Sequence, residues 1–405
     1  MLSLMRSPLM PGGATPMLRL LIGAVFAAQA LALAPARAEE IDAELAARLT
    51  PAERAALIAY SSARQQFGRQ QRAYWARVNA KRDARRAKRI LALDYTADDY
   101  IAEYPPRYTG PELPPELAKL FAPPTAPGEP VPTLPTVADC LLQAKAQFAF
   151  TPSLTSEPEF KRRYAREALA AGLNKDQVLR IYALETGGQG TYDMQAGINP
   201  ITKQGRPISS ALGYAQLLHA NSTSEFVRHG AGFIKRLLAT AAAPGVSRED
   251  AAALRAKAAI LHRMLRVAHT VPDQWSYHVR FGATPAGLAI HALNLDADVG
   301  PWLQVVKLKG LLDAAERAGR GPLSGSELEL MNLAGPGTGL EMMLPVARNM
   351  PTTNFFSEAG YYRNTIVRDK TAGELLRALN ERMESSLRKP GALEFARIFD
   401  QLTQR

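Results

Sequence analysis

Helix start signals recur along the sequence, and they restrict the fold more than any other feature does. In each signal a Ser, Thr or Asn side chain is placed to accept a hydrogen bond from the backbone of the first helical turn. Such starts are predicted at Thr50, Ser156, Asn174, Ser222, Ser247 and Thr371, and further helices at about 136–150, 285–291, 305–318 and 392–402. Because alternating strand patterns are scarce, the chain is predicted to be mostly α, with at most a small β element between residues 191 and 209.

The first 38 residues have the pattern of an export signal. Arg6 and Arg19 precede an apolar run of 14 residues, 20–33, which is short for a membrane span. Small residues stand at both positions that a signal peptidase reads in Ala36–Arg37–Ala38. We therefore expect a signal peptide over residues 1–38 that is cut after Ala38, and a periplasmic or secreted protein.

The positive charge of the chain is concentrated in one predicted helix. The formal net charge is +11, and residues 63–89 alone carry ten Lys or Arg and one acid, Asp83. Residues 39–104 are therefore predicted to form a basic helical arm, whose side chains between 64 and 89 bind an anionic surface of the cell envelope. The alternative is a solvated helix face. Nucleic acid is not expected as a partner because the protein is predicted to be exported.

Proline sets the next boundary. Residues 105–135 contain 11 of the 29 prolines, a density that disfavours regular helix and indicates an extended linker or wrapping segment. The remainder, residues 136–405, is predicted to be one helical domain with a C-terminal helical extension.

A glutamate at a helix end is the strongest candidate for chemistry. The spacing of Val178, Ile181, Tyr182 and Glu185 puts them on one helix face, and Gly187 follows as a stop signal. An apolar surrounding and the negative end of the helix dipole both disfavour the carboxylate, so we expect a raised pKa at Glu185. A glutamic acid that stays protonated near neutral pH can protonate a glycosidic oxygen, as the catalytic glutamate of lysozyme does.

The stretches ALETGG and SSALGYAQLL resemble motifs of the soluble lytic transglycosylase domain of the lysozyme-like superfamily. That family has a helix ending in Glu–Ser, then Gly–Leu–Met–Gln, and later a helix with Tyr–Asn–Ala–Gly. Here Glu185–Thr186 and Gly213–Tyr214–Ala215–Gln216 correspond to the first two motifs, and Ala334–Gly335–Pro336–Gly337 is similar to the end of the third. Asn332 and Leu333 replace the expected Tyr and Asn there. The resemblance spans about residues 165–365.

The resemblance implies a lysozyme-like helical domain that cleaves the β-1,4 bond between N-acetylmuramic acid and N-acetylglucosamine in peptidoglycan glycan strands. It implies that Glu185 acts first as the acid and then as the base, and that the product is a 1,6-anhydro sugar. The candidate substrate-binding residues are Thr186, Gly213, Tyr214, Gln216 and the loop residue Tyr192, with Tyr361, or alternatively Tyr362, as the tyrosine that completes the family's set.

Two alternatives remain open. Asp193 is the only acid between Glu185 and Glu225, and as a second carboxylate it would make the protein a lysozyme-type hydrolase. Alternatively, the fold binds peptidoglycan without cleaving it. No metal or other cofactor is expected, because the sequence has neither a His–Glu–x–x–His pattern nor a phosphate-binding loop. The single cysteine, Cys140, is predicted to be a buried structural thiol.

Overall fold

The structure is a computed structural model that describes residues 49–121 and 134–404. The predicted signal peptide over residues 1–38, its cut after Ala38, the start of the arm and residues 122–133 of the proline-rich segment lie outside the described residues. The chain divides into two compact units. We call residues 49–121 with 349–361 the arm unit, and residues 134–348 with 362–404 the site unit.

Helices account for nearly all of the regular structure in the described ranges. The first two are α1 (Pro51–Ile90) and α2 (Pro115–Phe121). The next six are α3 (Val137–Phe148), α4 (Glu157–Ala170), α5 (Lys175–Thr186), α6 (His219–Ala241), α7 (Arg248–Ala268) and α8 (Trp275–Gly282). The last seven are α9 (Pro285–His291), α10 (Val299–Arg317), α11 (Gly325–Ala334), α12 (Pro336–Met342), α13 (Glu358–Arg363), α14 (Ala372–Leu387) and α15 (Pro390–Thr403).

The prediction of a mostly α protein is confirmed. Among the described residues, three short 3-10 helices add to the α-helices, at Ala97–Asp99, Ala292–Leu295 and Thr352–Asn354. Within residues 49–121 and 134–404 no β-strand forms, and the loop expected to hold a β element contains isolated bridges, Gln195 to Leu212 and Ile198 to Gly205 among them. None of the helices in these ranges is long and apolar enough to cross a membrane.

Most of the predicted helix starts are correct. The side chains of Thr50, Asn174, Ser247 and Thr371 accept hydrogen bonds from the first turns of their helices. These caps satisfy backbone N–H groups that have no partner inside the helix, so a short local pattern fixes where each helix begins.

Two of the predicted capping interactions do not form. Ser156 directly precedes α4, so this helix start is correct, but its side chain makes no capping hydrogen bond. The carboxylate of Glu159, the other residue of the expected capping box, pairs with Arg162 and Arg163. Ser222 lies inside α6, where its hydroxyl group contacts the buried ring of His291. The Ser222 hydroxyl group, which the local pattern assigns to a helix cap, therefore makes a tertiary contact instead.

The arm unit is more than an isolated helix. Tyr74, Trp75 and Val78 on one face of α1 are buried, and the guanidinium groups of Arg82 and Arg85 donate to main-chain carbonyls of the segment 349–361. This segment falls within the predicted domain 136–405, but by its packing it belongs to the arm unit. Its carbonyls accept the hydrogen bonds that the buried guanidinium group of Arg85 requires, and Arg82, which is half-buried, adds to them.

Part of the proline-rich segment packs as well. Residues 115–121 form the short helix α2, although the density of prolines predicts an extended chain. Leu117 on this helix is buried against Leu57 of α1, and Tyr108 packs edge-on against Phe67. The described part of the segment therefore wraps α1 and contributes to the core of the arm unit.

In the site unit, Glu185 is carried by α5. This helix packs against α4, α11, α14 and α15. Next to it lies a cluster of aromatic rings in mutual contact, formed by Phe160, Tyr164, Tyr182, Tyr214, Phe395 and Phe399. A second, mainly aliphatic core lies among α3, α6, α7, α9 and α10 and contains Cys140. Burial raises the pKa of the Cys140 thiol to about 12, so this thiol is held in its neutral form.

Candidate active site

The helix that carries Glu185 is fixed at both ends. At its start the Asn174 side chain accepts a hydrogen bond from Gln177 N at 2.9 Å, and Gln177 in turn donates to Leu323 O at 2.8 Å. At its end Gly187 has φ +65°, the left-handed conformation that stops a helix. The carbonyl of Gly188 then accepts a hydrogen bond from Ala392 N at 2.9 Å. Glu185 therefore lies in the last turn of a helix that cannot easily shift along its axis.

Glu185 is buried, with 6% of its surface exposed. Asn332 Nδ2, on α11, donates to Glu185 Oε1 at 3.3 Å and to Glu329 Oε2 at 3.0 Å. Glu329 is more deeply buried, at 1% exposed. One amide group thus joins two buried carboxylates, and both of its N–H bonds are used in doing so.

The contact between Glu185 and Asn332 brings together parts of the first and third sequence motifs. Asn332 stands where the resemblance leads one to expect a tyrosine. Helix α11 ends within the third motif, at Ala334, and Gly335, with φ +88°, separates α11 from α12. A departure from the family pattern thus lies directly against the candidate acid.

The second motif, residues 213–216, forms a tight turn in the loop between α5 and α6. Gly213 has φ +77°, and an added Cβ would lie 2.3 Å from the Gln304 amide nitrogen, so only glycine fits. Gln216 is 2% exposed and donates from Nε2 to Gly213 O at 2.7 Å and to Met194 O at 3.1 Å. These contacts give both residues a part in shaping the loop between α5 and α6.

Tyr214 and Thr186 point into the protein rather than towards a surface. Tyr214 is 1% exposed, and its ring packs edge-on against Tyr182 with the centroids 5.1 Å apart. Its hydroxyl group donates to the Glu157 carboxylate. Thr186 Oγ1 donates to Tyr182 O at 2.6 Å within α5. The geometry of both residues supports the loop and the helix end, and neither side chain presents a face on which a sugar can stack.

The two loop candidates differ in environment. Tyr192 is partly exposed and stacks on Phe160 with the centroids 4.6 Å apart, and burial raises the pKa of its hydroxyl group. Asp193 is about half exposed and forms an ion pair with Lys203 at 3.2 Å. The sequence suggests Asp193 as the second acid. In the structure, the carboxylate that shares the Asn332 amide with Glu185 is that of Glu329.

Tyr361 belongs to the arm unit. It is 1% exposed, and its ring packs edge-on against Trp75 with the centroids 5.8 Å apart. In this position it contributes to the core of that unit.

The folded chain draws attention to two further glutamates, Glu329 and Glu157. Glu329 has a weak signal in the sequence, as a charged residue in the otherwise apolar run LELMNL of α11, three residues before Asn332. Glu157 lies at the start of α4, where the sequence indicates only a part of a capping box. Burial raises the pKa of the Glu157 carboxyl above its usual value, and the hydrogen bond from Tyr214 opposes that shift.

The acidic loop before α10 binds a lysine. Asp296 and Asp298 accept hydrogen bonds from Lys257 Nζ at 2.9 and 2.6 Å. In the part of the chain that the structure describes, no group of three or more His, Cys, Asp or Glu side chains is placed to hold a metal ion.

Comparisons with known proteins identify no relative of this chain. No protein-family model matches the chain, and neither the curated proteins nor the solved structures contain a match to it.

Proposed function

We propose that the protein cleaves peptidoglycan glycan strands as a lytic transglycosylase, with Glu185 as its acid and base. The observation that carries the proposal is a buried glutamate in the last turn of α5, joined through the Asn332 amide to a second buried carboxylate. The proposed role requires the neutral form of Glu185, which burial and the negative end of a helix dipole favour and the hydrogen bond from the Asn332 amide opposes. Two neighbouring carboxyl groups also disfavour two negative charges at once.

The proposed reaction uses one glutamate twice. Glu185 donates its proton to the oxygen between the N-acetylmuramic acid and N-acetylglucosamine residues, and the glycosidic bond breaks. The carboxylate then takes the proton of the muramic acid 6-hydroxyl group as that oxygen attacks the anomeric carbon. The substrate's own N-acetyl group stabilises the intermediate state, and the product ends in a 1,6-anhydro ring. An exported location, periplasmic or secreted, and a lysozyme-like arrangement of the helices belong to the same proposal.

The test uses purified full-length chain and isolated murein sacculi, with released fragments identified by mass. We expect the wild-type protein to release 1,6-anhydro muropeptides. Glu185→Gln keeps the size of the side chain but removes the acid, and it should lower the rate by at least about 100-fold, the usual minimum for a general acid. Asp193→Asn, at the exposed carboxylate paired with Lys203, should leave the rate within about threefold of wild type under the same single-glutamate argument.

Other results would favour the alternatives. Fragments with reducing ends, together with inactivity of Asp193→Asn, identify a hydrolase with two carboxylates. Wild-type protein that binds sacculi but releases nothing identifies a non-catalytic peptidoglycan-binding protein. Thermal melting of each variant distinguishes loss of the acid from loss of the fold.

A further inference from the structure

The end of α1 exposes three large apolar side chains in four residues. Ile90 is 86% exposed, Leu91 67% and Leu93 54%. We call these three residues the apolar turn. Single exposed apolar residues are common on protein surfaces, but an adjacent group of branched side chains this exposed is a mark of an interaction site.

The apolar turn has a fixed conformation. Leu93 N donates to Lys88 O at 2.9 Å, and Ala92 N donates to Arg89 O at 3.3 Å. This pair of hydrogen bonds is the Schellman arrangement that closes a helix. It holds Ala92 at φ +52°, a left-handed conformation that is unfavourable for a residue with a Cβ. The side chains of the turn are therefore presented to solvent by an ordered backbone.

The basic residues of α1 between positions 64 and 89 differ in exposure. Arg82 and Arg85 point inward and bind main-chain carbonyls, and Lys88 pairs with Asp99 at 2.7 Å. Arg64 and Lys81 are half-buried. The exposed ones form a group that we call the outer arginines: Arg69, Arg72, Arg77, Arg86 and Arg89.

Several of the outer arginines have partners within the arm unit, and Arg89 Nε, for example, donates to the Tyr95 hydroxyl group at 3.3 Å. Arg77 pairs with Glu103 at 3.4 Å, and Arg86 pairs with Asp83 at 3.2 Å. All four side chains are more than half exposed, so solvent and salt weaken these pairs and the guanidinium groups remain able to bind phosphate.

We propose that the arm unit docks on the surface of an anionic phospholipid bilayer through the apolar turn and the outer arginines. Arg86 and Arg89 lie beside the apolar turn, and Arg69, Arg72 and Arg77 lie earlier on the same helix. Such a surface matches the two layers of a membrane interface, because the acyl boundary accepts apolar side chains and the phosphates bind arginines. A second copy of the chain is the poorer occupant of this surface, because its own outer arginines would repel those already there. The inference goes beyond the proposed glycan cleavage and does not depend on Glu185.

The test is co-sedimentation of the full chain with vesicles. One set of vesicles contains phosphatidylglycerol in phosphatidylcholine, and the other contains phosphatidylcholine alone. We expect wild-type protein to bind the anionic vesicles, and added salt to weaken that binding. The double change Ile90→Ser and Leu91→Ser should lower the apparent partition constant by about tenfold or more, because two side chains no longer enter the acyl boundary.

Matched variants separate docking from loss of the fold. Ile58→Ser, at a singly exposed isoleucine on the same helix, should bind as wild type. Arg69→Gln with Arg72→Gln should weaken binding only to the anionic vesicles. Glu185→Gln should bind vesicles as wild type does, so failure of the glycan-cleavage proposal would leave this result unchanged.

Three outcomes would overturn the proposal. They are equal partition constants for wild type and the Ile90–Leu91 double variant, binding that does not distinguish the two vesicle compositions, and no binding at all. Self-association without lipid that disappears in the double variant would instead identify a second copy of the chain as the occupant. Circular dichroism spectra that match wild type show that the variants are folded.

Discussion

At the scale of single residues, Asn332 contributes most to the candidate site. Its amide donates to two buried carboxylates, and its carbonyl oxygen is buried with no hydrogen-bond partner among the described residues. An amide held on both of its N–H bonds restricts the rotamers of the two glutamates it binds. We therefore assign Asn332 as a positioning residue for the proposed reaction.

The change Asn332→Asp tests that role with almost no change of size. It replaces a donor by a third acid, so we expect the rate of muropeptide release to fall by about tenfold or more through loss of positioning. The added negative charge also opposes ionisation of Glu185, so the alkaline limb of the pH–rate profile should move to higher pH.

The control for Asn332→Asp is Asn380→Asp on α14, where the side-chain oxygen accepts a hydrogen bond from Arg180 at 3.0 Å. Its pH–rate profile should keep the wild-type alkaline limb. An unshifted limb in Asn332→Asp would show that Asn332 contributes to folding alone.

At the scale of elements, the end of α5 depends on two adjacent glycines with different surroundings. Both are left-handed, with φ +65° at Gly187 and φ +72° at Gly188. An added Cβ would meet nothing within 4 Å at Gly187, but at Gly188 it would lie 2.1 Å from Ser386 O. The first glycine serves the turn, and the second also lets the backbone of α14 approach.

The two alanine variants should therefore differ in stability. Gly187→Ala should lower the free energy of unfolding by about 1 kcal/mol, the cost of a left-handed alanine. Gly188→Ala should lower it by about 3 kcal/mol or more, because main-chain atoms must also move. Urea denaturation followed by circular dichroism measures both. Equal losses in the two variants would contradict the close approach to Ser386.

At the scale of the whole molecule, a buried polar network links α6, α9 and the loop before α6. His291 Nε2 donates to Ser210 O at 2.6 Å, and its Nδ1 accepts from the Ser222 hydroxyl group at 2.8 Å. Asn294 Nδ2 donates to Ser222 Oγ at 2.8 Å. Burial lowers the pKa of His291 to about 3, so its ring stays neutral. The network holds Ser210, three residues before the Gly213 turn.

The stability of the molecule should therefore fall in mild acid. Between the folded pKa of about 3 and the ordinary histidine pKa of 6.5, the unfolded chain binds the extra proton at His291. The free energy of unfolding is thus fully retained above pH 6.5 and declines below it, by up to about 1.4 kcal/mol per pH unit for this one group. Urea titrations at about pH 7 and about pH 5, on either side of that ordinary pKa, measure the decline.

His291→Gln isolates that contribution. The variant should be less stable at neutral pH but should lose less stability between about pH 7 and pH 5, because one titrating group is absent. The matched change His262→Gln, at an exposed histidine on α7, should keep the wild-type decline. The same decline in all three proteins would rule out His291 as a source of acid sensitivity.

The local sequence determined the class of fold and most helix starts. A cap needs only a side chain and a backbone N–H group two or three residues away, and four of the six predicted caps form as expected. The end of α5 was also predictable, because a glycine in the left-handed conformation stops a helix wherever the rest of the chain lies. The candidate acid could be selected for the same reason, as a carboxylate at that helix end.

Only the tertiary structure decided which groups surround Glu185. The pairing with Asn332 joins residues 147 positions apart, and no local pattern encodes such a contact. Tyr214, which was expected to contact sugar, is buried in the aromatic cluster. Residues 349–361 pack in the arm unit rather than with the rest of the predicted domain 136–405. Hydrogen bonds within one turn are specified by neighbouring residues, whereas the environment of a buried side chain depends on how distant helices pack.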